Sequence, residues 1–591
     1  MKITINNKMW IFFGFISILF HIFLIFSGLI PNLISRPLHM VLIIPWIFLY
    51  NKKTIKILSL DFLFTVVGCL SCFWIAINSD MLMDQYGFLE SDFQVFISIT
   101  LLFIVLEMAR RSVSWPLPLV SLLALMYGLF GNHIPGEFGH PGTPINSFLG
   151  TLTIAEGGIW GTLTGVSVSI VSIFVIFGSF LNSGEAGSGF MNIATAFAGR
   201  LRGGAAKVSV LSSALFGSIS GSASANVAST GMITLPTMLK LGYPKRLAAS
   251  VEAVASSGGQ IMPPLMGAGA FVMVELTGIP YNEIILAALL PAILYFFTVW
   301  VGIDFYSKEF NLKSIKSSDL PPIKTVLITS IFFIIPFSTL LFFMFVGYTP
   351  QYSAAISILL AACLLFFNIK IKFNFELGLS RLYKSFVLAG KQISLIGSII
   401  ICASIIIGVL SITGLGIKLT SLIISFSDNN IWVALILTGI ACLILGMEVP
   451  TTAAYVICVS VAGPALVDMG LELLQVHLFI FWFALLSTIT PPVCGAVFIA
   501  SGMVSENWLK VSITSMSLGI GLYFIPLAMM ANETILDLSN NPFLALMAFV
   551  KIALSLFLLS FSVISKSHLI LRLVSFLLSL ILMFFIKSII T

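Results

Sequence analysis

Residues 256–268 read Ser-Ser-Gly-Gly-Gln-Ile-Met-Pro-Pro-Leu-Met-Gly-Ala, and residues 487–496 read Ser-Thr-Ile-Thr-Pro-Pro-Val-Cys-Gly-Ala. Each stretch contains the pattern PPxxGA inside a long apolar region. An α-helix does not continue smoothly through such a stretch, because proline lacks an N–H group and glycine disfavours the helical backbone. The sequence therefore predicts one interrupted helix in each half of the chain.

Two further motifs precede the interrupted helices. Gly-Ser-Ala-Ser-Ala-Asn occupies residues 221–226, and Gly-Met-Glu-Val-Pro-Thr occupies residues 446–451. Basic residues flank the first region, 208–236, whereas acidic residues flank the second, 432–464. Because Lys and Arg favour the cytoplasmic side of a membrane, we predict two re-entrant hairpins that enter from opposite faces. Such a pair is typical of an inverted-topology repeat.

The composition places the chain in a lipid bilayer. Of its 591 residues, 59% are hydrophobic and 9% are charged, against roughly 25% charged in soluble domains. The net charge of +6 comes from short basic clusters between apolar runs, which indicates membrane orientation and not nucleic-acid binding. No Walker A or HExxH motif is present, so the sequence supports neither ATP hydrolysis nor zinc-dependent catalysis.

Apolar runs of about 20 residues can cross the bilayer. They predict an all-α polytopic membrane protein, with the N-terminus in the cytoplasm and Arg36 as an exception to the charge pattern. We divide the chain into N-terminal helices at 1–131, a transport core at 159–531 with halves 159–346 and 352–531, and two helices at 543–590. The predicted spans are 9–30, 37–50, 57–77, 93–108, 115–131, 159–181, 283–303, 326–346, 352–367, 393–412, 511–531, 543–564 and 569–590, with interrupted regions at 205–279 and 431–502.

Polar side chains lie at the hairpin tips and at the helix breaks. Hydroxyls and freed backbone groups at bilayer depth are costly unless they bind a ligand or pair with each other. Carbonyl and hydroxyl oxygens suit a small hard cation, whereas the N–H end of a helix suits a carboxylate. The alternatives are a tight contact between helices with small residues and simple proline kinks.

Three carboxylates need separate interpretation. Glu448 is placed by the predicted topology near the bilayer midplane, where a carboxylate is a candidate proton carrier or cation ligand. A tip that reaches water would leave it merely solvated. Glu252 lies about two turns from Lys245 and Arg246, which favours an interfacial position, and Glu275 is expected to be solvated near the outer end of its helix.

Three stretches carry a family likeness: GYPKRLAASVEAVASSGGQIMPPLMGAGAFVMVELTGIP at 242–280, GMEVPTTAAYV from residue 446 and TPPVCGAVFIASG from residue 490. In these motifs the chain resembles the permease of a TRAP transporter. The first stretch resembles the fused type that works with TAXI binding proteins. The likeness is strong over residues 159–531 and weaker over 10–131, where the family's small membrane subunit would be fused.

The resemblance implies an elevator-type secondary transporter in the bacterial inner membrane. It would take up a small organic anion, usually a carboxylate, by symport with Na⁺ or H⁺, and an extracytoplasmic TAXI-type solute-binding protein would deliver that anion. No other cofactor is expected. Na⁺ would be bound through Ser222, Asn226, Thr451 and Thr488. The implied substrate and ion site, together with the hydroxyls and the carboxylate found at the same breaks, comprises Ser220, Ser222, Ser224, Asn226, Gly258, Gln260, Pro263, Glu448, Thr451, Thr452, Thr488, Thr490 and Pro491.

Glu448 departs from the family pattern, which usually has a small residue there, so the coupling ion stays open between Na⁺ and H⁺. Two other functions also stay open. One is a stand-alone carboxylate carrier or antiporter that needs no binding protein. The other is a channel or a membrane-embedded enzyme, although an enzyme should show acid–base pairs at depth and the sequence shows only isolated carboxylates.

Overall fold

A computed structural model describes residues 2–4, 7–50, 52, 54–56, 59–113, 115–220, 222–263, 266–267, 269–446, 451–492 and 494–585. This part of the chain is almost entirely helical, apart from a short antiparallel pair of strands, β1 (Lys2–Thr4) and β2 (Thr54–Lys56). Ten of its helices are long and apolar enough to cross a membrane. The prediction of an all-α polytopic membrane protein is confirmed.

The helices follow one another closely along the chain. The first part contains α1 (Asn7–Phe26), α2 (Asn32–Leu49), α3 (Leu60–Ile77), α4 (Ser79–Asp84), α5 (Asp92–Val113), α6 (Pro116–Phe130), α7 (Ile145–Thr153), α8 (Thr162–Val166) and α9 (Ser172–Ser183). The middle part contains α10 (Ala186–Ala198), α11 (Gly204–Ser220), α12 (Ala223–Lys240), α13 (Lys245–Gly258), α14 (Gly269–Thr277), α15 (Tyr281–Glu309), α16 (Ile323–Phe345) and α17 (Pro350–Leu364). The last part contains α18 (Phe375–Thr413), α19 (Leu415–Ser427), α20 (Ile431–Leu445), α21 (Thr451–Asp468), α22 (Leu473–Leu486), α23 (Gly495–Val504), α24 (Trp508–Leu518), α25 (Gly521–Ala531), α26 (Pro542–Ile564) and α27 (Leu569–Leu580).

The helices group into two compact units, and each unit combines segments that are distant in sequence. The first comprises Met1–Glu185, Phe332–Phe426 and Ser460–Pro464. The second comprises Ala186–Ile331, Ser427–Val459 and Ala465–Thr591. Both interrupted regions predicted from the sequence therefore belong to the second unit, apart from five residues of α21.

The first unit is built around α18, which has 39 residues. A helix of that length extends about 58 Å, nearly twice the roughly 30 Å of hydrocarbon in a bilayer. Helices α1, α2, α5, α6 and α9 pack along it. Glycines permit the closest approaches: a Cβ atom on Gly390 would lie 2.4 Å from the Trp46 ring, and one on Gly14 would lie 2.3 Å from the Phe386 carbonyl oxygen.

Arg36, the exception to the charge pattern, is buried in this unit and does not lie in a loop. Its guanidinium donates to the Trp160 carbonyl oxygen and pairs with Glu156 at 3.3 Å. The cost of burying this cation is therefore offset by a carboxylate and a carbonyl group. Its position in the sequence consequently says little about which side of the membrane it faces.

The second unit contains both predicted breaks. Helix α13 ends at Gly258, a 3₁₀ turn covers Gly259–Ile261, and α14 begins only at Gly269. Helix α22 ends at Leu486 and α23 begins at Gly495. The sequence predicted both interruptions because Pro and Gly act on the local backbone. It did not predict the amphipathic helices α10 and α19.

The two predicted hairpins are present as helix pairs, although the residues of the tips themselves lie partly outside the described ranges. Helices α11 and α12 pack against each other. Helices α20 and α21 follow one another in the chain on either side of residues 447–450. Each pair precedes its broken helix in the chain, as the repeat predicted.

Candidate functional site

The first hairpin is fixed to the first broken helix by a buried amide. Asn226, in the first turn of α12, has no exposed surface. Its Nδ2 atom donates to the carbonyl oxygen of Ser213 on α11 at 3.0 Å and to that of Ser256 on α13 at 3.3 Å. The amide thus satisfies backbone acceptors near the end of α13 and holds three helices together.

Glycine residues allow the backbone of the first hairpin to contact the backbone of the first helix break. A Cβ atom on Gly217 of α11 would lie 2.6 Å from the Cα atom of Gly259. In the second half, a Cβ atom on Gly446, at the end of α20, would lie 3.1 Å from both the Ala484 carbonyl oxygen and Ser487 Oγ of the α22 end. In both halves, therefore, a glycine of the hairpin lies against the end of the following broken helix.

Two hydrogen bonds then join the two halves of the sequence. Thr451 Oγ1, at the start of α21, donates to Gln260 Oε1 in the first break at 2.5 Å. Ser257 Oγ, in the last turn of α13, lies 2.8 Å from Thr488 Oγ1 in the second break. Polar groups from the first break thus contact the second hairpin and the second break.

A further approach connects the first hairpin to the second break. A Cβ atom on Gly495, the first residue of α23, would lie 3.2 Å from Ser224 Oγ in the first turn of α12. Helices α12, α21 and α23 therefore all begin within this cluster. Because the N-terminus of a helix carries a partial positive charge and free N–H groups, the arrangement favours a negatively charged ligand.

The predicted site residues differ in their accessibility. The buried ones are Asn226, Gly258, Gln260 and Thr451. The half-buried ones are Ser222, Ser224, Pro263, Thr452, Thr488, Thr490 and Pro491. The side chain of Ser220 and the whole of Glu448 lie outside the described residues, so both assignments stay predictions.

The proposed Na⁺ ligands have different hydrogen-bond partners in this structure. Asn226 contacts backbone carbonyl groups, Thr451 contacts Gln260, and Thr488 contacts Ser257. Outside this set, Thr490 Oγ1 lies 2.6 Å from the hydroxyl of Tyr523. Within the described ranges, no group of three or more His, Cys, Asp or Glu side chains could hold a metal ion.

Comparison with known proteins agrees with this architecture. Residues 100–542 match the family model described as "Tripartite ATP-independent periplasmic transporter, DctM component". The chain belongs to this DctM family. The match covers about three quarters of the chain and includes both hairpins and both broken helices.

Several characterised or named relatives are TRAP transporter large permeases. The C4-dicarboxylate permease of Pseudomonas aeruginosa is 23% identical over 334 residues, which are 56% of this chain and 76% of the relative. The 2,3-diketo-L-gulonate permease of Escherichia coli is 22% identical over 339 residues, 57% of this chain and 78% of the relative. The ectoine/5-hydroxyectoine permease of Ruegeria pomeroyi is 28% identical over 148 residues, 24% and 34% of the two chains. All three are transporter permeases by name.

In this DctM-family chain the side chain of Glu252 is enclosed by protein, which its distance from Lys245 and Arg246 along the chain did not predict. Every residue of α13 from Leu247 to Gly258 is buried, because α11, α12, α15, α23 and α24 pack around the helix. The carboxylate of Glu252 has no exposed surface and accepts a hydrogen bond from Ser209 Oγ at 2.7 Å. It also accepts hydrogen bonds from the hydroxyls of Thr230 and Thr234.

A sequence signal for this second polar cluster existed. Thr230 and Thr234 are four residues apart on α12, so their side chains lie on one face of the helix. Thr234 lies six residues before Lys240 and Glu252 six residues after Arg246, so both lie at the same distance from the basic ends of their helices. Distance from Lys245 along the chain was a poor guide, because the neighbouring helices decide whether water reaches a side chain.

Proposed function

We propose that this chain is the permease of a secondary transporter that takes up a small organic anion across the bacterial inner membrane. The single observation that carries the proposal is the meeting of the two repeats, through Thr451 with Gln260 and through Ser257 with Thr488. A site made from two broken helices and two hairpins exposes backbone polar groups that a ligand can satisfy. A carboxylate is the preferred ligand class because three helix N-termini begin there.

The named substrates of the relatives support the same class. One is a C4-dicarboxylate permease and another a 2,3-diketo-L-gulonate permease, and both substrates are organic acids. We further propose that the half-buried hydroxyls of Ser222, Ser224, Thr452 and Thr488 contact the anion or its coupling ion. Uptake would be symport driven by a gradient of Na⁺ or H⁺.

The family name describes tripartite transporters, so we propose an extracytoplasmic solute-binding protein as partner. The motif at 242–280 favours a binding protein of the TAXI type. Residues 1–99 precede the family match and contribute α1, α2, α3, α4 and the start of α5. We propose that 1–131 corresponds to the small membrane subunit, fused to the large one with the N-terminus in the cytoplasm.

The test combines ligand identification with reconstituted transport. The proposed binding protein is purified and the carboxylate bound to it is identified by mass spectrometry. The radiolabelled carboxylate is then offered to proteoliposomes that contain the purified chain. We expect uptake that requires both the binding protein and an inward gradient of Na⁺ or H⁺. Uptake without the binding protein would instead indicate a stand-alone carrier, and no gradient dependence would refute secondary transport.

A further inference from the structure

The carboxylate of Glu252 is enclosed by hydroxyl groups. Ser209 Oγ lies 2.7 Å from Oε2, the Thr234 hydroxyl donates to the same oxygen, and the Thr230 hydroxyl donates to Oε1. Ser256 Oγ lies 3.5 Å from Oε1. Burying a charged carboxylate is costly unless a cation or several hydrogen bonds stabilise it. Here the stabilising groups are neutral.

The charged groups on the helices around α13 do not neutralise Glu252. Lys207 of α11 is paired with Asp304 of α15 at 2.6 Å, and within the described residues no basic side chain forms an ion pair with Glu252. Helix α23 contains no charged residue. The other titratable or charged groups on α13 and on the helices packed against it are Lys240, Lys245, Arg246, Glu283, Tyr281, Tyr295, Tyr306, Lys308, Glu309 and Lys510.

A cavity of about 330 Å³ reaches the edge of this cluster. Thr234 lines the cavity and also donates its hydroxyl to Glu252. The cavity wall further contains Thr237, Lys240 and Asp319, which belong to the side that the charge pattern assigns to the cytoplasm. One hydroxyl group therefore separates the buried carboxyl group from a cavity whose wall includes Lys240 and Asp319 among apolar side chains.

The hydroxyls around Glu252 have second acceptors. Thr230 Oγ1 lies 2.8 Å from the Asn226 carbonyl oxygen, and Thr234 Oγ1 lies 3.1 Å from the Thr230 carbonyl oxygen. A hydroxyl has only one proton to donate. When Glu252 is ionised, the two hydroxyls donate to it. When it is protonated, they can turn to these carbonyl groups, so both protonation states leave the polar groups paired.

We propose that Glu252 binds and releases one proton during the transport cycle, exchanging it with the cavity through Thr234. A hydronium ion in the cavity gives its proton to the Thr234 hydroxyl and leaves as water, while Thr234 passes its own proton to Oε2. One O–H bond forms on Glu252 while one breaks on the donor, and release follows the reverse path. The coupling role rests on the proposed function, whereas the protonation itself does not.

The oxygen spacing around Glu252 in this arrangement is that of hydrogen bonds. Ca²⁺ binds its oxygen ligands at about 2.3–2.6 Å, and Na⁺ has a similar ionic radius. A cation between the carboxylate and its neighbours would keep those oxygens farther apart than a hydrogen bond does. Ser209 Oγ and Glu252 Oε2 are instead 2.7 Å apart, which is the spacing of an O–H···O bond.

Infrared difference spectroscopy tests the protonation directly and needs no substrate. The full chain is reconstituted in vesicles of Escherichia coli polar lipids and titrated from about pH 5 to about pH 9, a range that includes buried carboxyl groups. We expect a protonated-carboxyl C=O band that titrates in the wild type and in Glu275→Gln, whose glutamate is exposed. The band should be absent from Glu252→Gln and present but displaced in Glu252→Asp.

The proposal would be overturned by a band that does not change over this pH range, or by a band that Glu252→Gln retains. A titration midpoint that shifts when NaCl replaces choline chloride would also overturn it, because Na⁺ would then compete for the site. If the band titrates as expected but the chain takes up no carboxylate, the proposed function fails and the proton site stands.

The exchange route has its own matched variants. Thr234 and Thr237 line the same cavity, but Thr237 donates to the Ile233 carbonyl oxygen at 2.9 Å and not to Glu252. We expect Thr234→Val to slow hydrogen–deuterium exchange of the Glu252 band about tenfold, the factor for losing one hydrogen bond of about 1.4 kcal/mol. Thr237→Val should leave the exchange rate unchanged. Equal rates in both variants would exclude the route through Thr234.

Discussion

The hydrogen bond between Thr451 and Gln260 is the most direct test of a site shared by the two repeats. Thr451→Val keeps the shape of the side chain but removes the hydroxyl. Both partners are buried, with 6% of Thr451 and 3% of Gln260 exposed, so water cannot replace the lost donor. Losing the donor of a buried hydrogen bond costs about 1–3 kcal/mol. That cost corresponds to a population of the joined arrangement that is about 5- to 150-fold lower.

The assay measures the initial uptake rate in proteoliposomes and the midpoint of thermal unfolding in detergent for the same variants. Thr451→Val should lower both, whereas Thr452→Val, at the half-buried neighbour, should retain the wild-type unfolding midpoint. In Thr451→Val/Gln260→Met neither polar partner remains, so the double variant should unfold at a higher temperature than the sum of the single effects predicts. If the losses in free energy of unfolding of the two single variants add up to that of the double variant within about 0.3–0.5 kcal/mol, the two residues do not interact.

Three further predictions concern the second unit. Glu252→Gln should make uptake insensitive to a pH gradient that accelerates the wild type, and an unchanged pH profile would exclude Glu252 from coupling. Gly258→Ala should lower the midpoint of thermal unfolding, because the new Cβ atom would clash with the Tyr295 ring. The control Gly502→Ala adds a Cβ atom in open space and should leave the midpoint unchanged. Equal midpoints in the two variants would contradict the close contact between Gly258 and Tyr295. Burial raises the pKa of Tyr243, in the turn between α12 and α13, to about 12, whereas an unfolded chain ionises near pH 10. The free energy of unfolding should therefore decrease as the pH rises from about 10 to about 12, and it should decrease less in Tyr243→Phe. The same pH dependence of the free energy of unfolding in both proteins would refute this.

The broken helices were predictable because their cause is local. Pro263 and Pro491 remove backbone hydrogen-bond donors wherever they stand in a helix, and the repeated PPxxGA pattern marked both places. The apolar runs likewise predicted most spans, since a bilayer demands about 20 apolar residues from each. The sequence did not predict helices α10 and α19, because they are short and do not form long apolar runs.

Composition and local patterns were enough to predict that this chain lies in a membrane, that it contains two interrupted regions, and that polar side chains stand at the interruptions. Which of those side chains meet depends on how distant helices pack. Thr451 and Gln260 are 191 positions apart, and no local pattern specifies a partner at that distance. Glu252 shows the same limit, because α11 and α12 enclose its carboxylate. Burial is a property of the neighbours that pack around a residue, whereas sequence patterns report chiefly on the residue's own helix.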